Sequence, residues 1–158
     1  MTVVQLLQQL SPFLGGFLAV WLASRFSAVR SHEDKVWLRK SEAYGHILEA
    51  LADIRDWYAV NLDDEAGGRE PMAEIAEKRQ EQFSTARRRL AATISREVWL
   101  LPDSIKQETD RLNRALSERH ESWFEHLDSC KFETKKAQEL IEKLARGDLK
   151  RPSFLSVR

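Results

Sequence analysis

The sequence predicts an all-α protein: a single N-terminal transmembrane helix followed by about three long helices in an antiparallel bundle or helical hairpin. Three observations point there. Gly and Pro number only six and four among 158 residues, and the Asn-Gly and Asp-Gly pairs that mark tight hairpins do not occur. Apolar residues recur at spacings of three, four and seven along most of the chain. No charged side chain stands between Met1 and Ser24, whereas every Lys, Arg, Asp and Glu lies from Arg25 onward.

The first element is the run from Val3 to Ala23. It matches the ~20 residues a helix needs to cross ~30 Å of hydrocarbon. Its densest part, Pro12 to Ala23, is too short alone, so the stretch with Gln5, Gln8 and Gln9 must contribute. A basic region ahead of the run is missing, which argues against a cleaved signal peptide. Trp21 falls where an interfacial ring is expected. Arg25, Arg30, Lys35, Arg39 and Lys40 follow on one side only, so charge bias sets the body inside and the N-terminus outside. Gly15, Ala19 and Ala23 repeat every four residues, with Gln8 near the same face. Such a face permits close helix–helix approach in a bilayer. Ser11-Pro12 reads as a cap with proline at the first helical position, or as a kink in one continuous helix.

The body is expected over residues 31–147, between an anchor at 1–30 and a loose tail at 148–158. Its first helix carries Val36, Trp37, Tyr44, Ile47, Leu48, Leu51, Ile54, Trp57 and Tyr58 on one face. Ser31 with Glu33 and Asp34 resembles a helix start, so the anchor either restarts there or runs through as one rod. Asn61–Glu70 is the clearest break, and Pro71 opens the second helix. Met72, Ile75, Ala76, Phe83, Ala86, Leu90, Ile94 and Val98 form its apolar face. A capping box of Ser104 and Gln107 is expected to start a third helix. Ile105, Leu112, Leu116, Trp123, Leu127, Cys130, Ala137, Ile141 and Leu144 trace its stripe, and Gly147 stands where a left-handed C-cap belongs.

Chemistry-bearing patterns are few. The 25 basic and 25 acidic residues balance, which gives no overall attraction to nucleic acid. Arg87-Arg88-Arg89 fan over about 200° of a helix and read as a solvated face. The single cysteine, Cys130, forms no internal disulfide and sits on the apolar stripe as a structural thiol. Glu42 and His46 can meet on one helix face, while His120 and His126 are six apart and do not share one. No zinc, di-iron or phosphate-loop pattern occurs. No catalytic, cofactor-binding or metal residue is assigned.

A short uncharged anchor ahead of a charged helical body resembles many small bacterial membrane proteins in general organisation. The expected location is a bacterial inner membrane, crossed once. The expected role is a non-catalytic, membrane-tethered interaction or scaffold protein. Its partners would be the lipid bilayer and either a second copy or another membrane protein. Two alternatives stand beside it: a membrane-active, toxin-like or phage-type effector that oligomerises through its anchor, and a soluble helical adaptor whose first segment is core.

Overall fold

A computed structural model describes the backbone of residues 3–150 and the side chains of residues 33–150. It contains four α-helices: α1 (Val3–Ala66), α2 (Ala73–Arg96), α3 (Asp103–Ala115) and α4 (Trp123–Asp148). No strand occurs among the described residues. The all-α class therefore holds, with one helix more in the body than the sequence predicted. Among the described residues no helix is long and apolar enough to cross a membrane. The anchor residues Gln8, Gly15, Ala19, Trp21, Ala23, Arg25 and Arg30 lie outside the described side chains.

The chain divides into two units, Met1–Arg39 and Lys40–Arg158. The first is helical backbone, continuous through Ser11-Pro12 and Ser31, so no restart follows Ser31. The second, the body, holds the core. Tyr44, Ile47, Leu51, Ile54 and Tyr58 are all buried on α1. Their spacings of three and four keep them on one helical face, and each buried side chain of this size is worth about 1.5–3 kcal/mol.

The other helices cover that face. On α4 the buried positions are Leu127, Cys130, Thr134, Ala137, Ile141 and Ala145. Several are small, which allows α4 close to its neighbours. Arg55 on α1 donates to Gln138 on α4 at 2.9 Å, and Tyr44 donates to Asp148 at 2.8 Å. These contacts run α4 antiparallel to α1. Arg89 on α2 lies 3.2 Å from both Glu49 and Asp53 of α1. Thr109 and Thr134, buried inside helices, donate to the carbonyls of Ile105 and Cys130 four residues back. That leaves neither hydroxyl unsatisfied.

Four element-level expectations are corrected. The third helix is two. Leu116 caps α3, and Ser122 accepts the Glu125 amide at 3.1 Å to start α4. The real cap is thus Ser122-x-x-Glu125. Ser104 and Gln107 form no capping box, because Pro102 already precedes the helix and its carbonyl accepts the Ile105 amide. Gly147 lies within α4, and the left-handed residue is Gly68, at φ +60. The break after α1 is also shorter than expected, since the helix persists to Ala66 and closes with the Gly67 amide on the Asp63 carbonyl.

The apolar face of α2 is likewise only half used. Phe83, Ala86 and Leu90 reach the core, but Met72, Ile75, Ala76 and Val98 are exposed. Trp123, expected in the buried stripe, is 51% exposed because the chain breaks just before it. Val36, Trp37 and Leu144 are half-buried.

Candidate functional site

One end of the body gathers six aromatic and imidazole side chains: Trp57, Tyr58, Phe83, His120, Trp123 and His126. Trp57 and Tyr58, adjacent on α1, meet Phe83 of α2; the Trp57 and Phe83 rings stack at 4.4 Å. The Arg87 guanidinium lies 5.9 Å over the Phe83 ring. On α4, Trp123 stacks on His126 at 5.4 Å. His120 reaches the same place from the α3–α4 loop, with its ring 5.4 Å from that of His126. Six residues apart on one helix, the two imidazoles could not share a face; the break at 116–122 brings them together. The missed signal was Ser122-x-x-Glu125, which announces a new helix between them.

Cys130 sits beneath this cluster. Its Sγ is 3.6 Å from Nε2 of His126. The Tyr58 side chain adjoins it. Burial pushes the thiol above its ordinary range, the Tyr58 hydrogen bond opposes that, and the Glu118 charge adds to it. A residue 1% exposed and held as the neutral thiol is not a nucleophile at neutral pH. Tyr58 is itself raised above the usual tyrosine range, first by burial and then by Cys130. His120 Nε2 is buried without a hydrogen-bond partner. Among the described residues, no three His, Cys, Asp or Glu side chains converge as metal ligands.

Two hollows adjoin the cluster. A groove of about 680 Å³ runs between α1 and α2, floored by Trp57, Val60 and Phe83. Several of its charges are engaged with neighbours: Arg79 with Asp64 at 2.6 Å, Arg89 with Asp53, and Asp56 with Arg55 at 3.0 Å. The Arg79 hydrogen bond holds the Asp64 carboxyl below its usual range. A second hollow of about 480 Å³ is formed by the loop from Leu116 to Trp123, with His126. Both are lined by apolar and polar side chains together.

The remaining sequence-derived residues fall elsewhere. Lys35 and Arg39 are exposed. Lys40 is drawn into the body, where it pairs with Asp148 at 2.7 Å. That carboxylate, read from sequence as the start of the tail, is the last residue of α4 and also accepts from Tyr44. His46 pairs with Glu49, at 3.9 Å, and not with Glu42. Arg111 is clamped between Glu108 and Glu133, of which Glu108 is buried. The long-range pairs, Lys40 with Asp148 and Arg111 with Glu133, have no local sequence signature. Comparison of the chain with protein-family models, curated proteins and solved structures gave no match.

Proposed function

We propose that the chain is a membrane-tethered interaction protein, with a helical body held at a bilayer by its first segment. One observation carries the reading. A single helix, α1, is uncharged over its first residues and supplies the central core face of the body further on. The length of the uncharged run and the one-sided cluster of bases after it support a membrane segment, with the body on the cytoplasmic side of a bacterial inner membrane. The body supports the interaction part. Trp123, Phe124, Phe132 and Leu140 are all exposed on α4 although the core beneath is closed. Exposed apolar side chains of this size on a well-packed domain are a feature of contact surfaces.

Fractionation of cells expressing the full chain tests the tether. The protein is expected in the membrane pellet, resistant to a high-salt wash and released by detergent. Intact chain in the supernatant after ultracentrifugation, with no lipid attached, would overturn the reading. A reporter active only in the cytoplasm, fused after Arg158, is expected to be active; activity of a periplasmic reporter there would reverse the topology.

A further inference from the structure

The outer face of α4 carries a pattern of its own. Opposite the buried positions Leu127, Cys130, Thr134, Ala137 and Ile141 runs a stripe of Glu125, Asp128, Phe132, Glu139, Lys143 and Arg146, all exposed. Their spacings of three, four, seven, four and three keep them on one helical face and read the same in either direction. The acids Glu125 and Asp128 stand at one end and the bases Lys143 and Arg146 at the other. Between them the charges are matched locally: Glu139 lies 3.8 Å from Lys135, and Lys136 lies 4.0 Å from Glu133. Glu125, Asp128 and Lys143 form no ion pair among the described residues. Arg146 pairs with Glu142 on the surface, a contact of the kind that exchanges readily. Phe132 is 63% exposed, and Leu140, two turns further along, is 40% exposed.

We propose that this face of α4 docks on the same face of a second copy of the chain, the two helices antiparallel about a two-fold axis. The inference deepens the interaction reading and rests on the exposed α4 side chains that support it; it does not need the tether. A two-fold contact is isologous: if residue i meets j, then j meets i. Turned end for end about the point between Lys135 and Lys136, α4 lays Glu125 opposite Arg146 of the other copy, and Asp128 opposite its Lys143. Symmetry makes each match twice. Phe132 falls opposite Glu139, only about 1.5 Å of rise from Leu140, so the ring covers that side chain. Complementary charge at both ends and an apolar contact between them describe a face that fits itself. Parallel pairing would set Glu125 on Glu125 and Lys143 on Lys143, and like charges across an interface are strongly disfavoured. The helix macrodipole favours acids first and bases last on any helix, but it gives no reason for a phenylalanine in solvent between them. With 25 bases and 25 acids, two copies carry no net repulsion.

The test follows the full chain by sedimentation equilibrium in a density-matched mild detergent, where the unsubstituted protein is expected to dimerise. Asp128→Lys and Lys143→Asp each bring like charges together twice, and each should weaken dimerisation at least about tenfold. An equimolar mixture of the two variants restores both matches and should dimerise as the unsubstituted protein does. That recovery also shows that neither variant has unfolded. Register is read by disulfide formation under mild oxidation. Asp128→Cys mixed with Lys143→Cys should give a mixed cross-linked dimer, and neither variant alone should cross-link. Cys130 is buried, and the unsubstituted protein is the control for it. Cross-linking of Asp128→Cys with itself would reveal parallel pairing and overturn the proposal. Dimerisation indifferent to both charge reversals would overturn the α4 contact and move self-association to another part of the chain. Variants that mixing fails to rescue would overturn it as well. An unsubstituted monomer found in the membrane pellet would overturn the contact and leave the tether standing. A charge-dependent dimer recovered from the supernatant would support the contact and overturn the tether.

Discussion

Both tyrosines of the chain are buried, and the Tyr44 hydroxyl donates a hydrogen bond to Asp148 at the end of α4. Tyr44 is held above the ordinary tyrosine range first by burial, then by the hydrogen bond and charge of Asp148. Tyr58 is raised mainly by burial as well. A raised value means that the folded state favours the neutral phenol. The stabilisation is complete below the unfolded value of about 10 and is lost as pH climbs through the folded one. Urea midpoints are therefore expected to be level between pH 7 and about pH 8, to decline gently as the raised Cys130 thiol contributes, and to fall more steeply above about pH 10 as the tyrosines contribute. Tyr44→Phe with Tyr58→Phe should remove most of that alkaline fall, and should cost about 1 kcal/mol per lost hydrogen bond at neutral pH. An unchanged alkaline limb in the double variant would show that other groups set it.

At the scale of elements, Ser122 separates α3 from α4. Its hydroxyl satisfies the Glu125 amide, which has no partner within the helix. Ser122→Ala is expected to cost about 1 kcal/mol in chemical denaturation, and Ser104→Ala, with no cap to lose, less than about 0.5 kcal/mol. Equal losses would refute the assignment of the cap. Much of the element order was legible in the sequence. The stripe from Tyr44 to Tyr58 keeps a strict period, and Gly67-Gly68 with Pro71 breaks the chain where the structure does. The α3–α4 break was not read, because Leu116 and Trp123 are seven apart and so continue the period across it. Periodicity records which residues are apolar; it does not record that Trp123 stays half in solvent. The candidate site was less legible still. It depends on His120 and His126 meeting across a loop.

The whole chain is electrically neutral, with carboxylates outnumbering bases around the aromatic end of the body. Neutrality leaves no net-charge attraction at long range. Assembly belongs to this scale too. If the N-terminal segment lies in a bilayer, Gly15, Ala19 and Ala23 offer a face where backbones approach closely, and van der Waals contact drives association there. Ala19→Ile should then reduce self-association in a membrane two-hybrid reporter by several-fold, while Leu18→Ile should not. Gln8→Leu should weaken it less, since interhelical polar bonds contribute about 0.6–2 kcal/mol. Equal signals from wild type and Ala19→Ile would mean that the small residues are composition and not contact.

The clasp of Asp148 on Lys40 and Tyr44 also bears on how the protein is made. The ribosome releases α1 first and α4 last. Ninety residues separate Tyr58 from Asp148, and at about 5–20 residues per second their synthesis takes roughly 5–18 s. Until Leu127 to Ala145 have been made, the face of Tyr44, Ile47, Leu51, Ile54 and Tyr58 lacks its α4 cover. A nascent chain ended before Leu127 would keep part of that stripe bare. Translational stalling in the last third of the message is thus the event most prone to turn this protein into an aggregate.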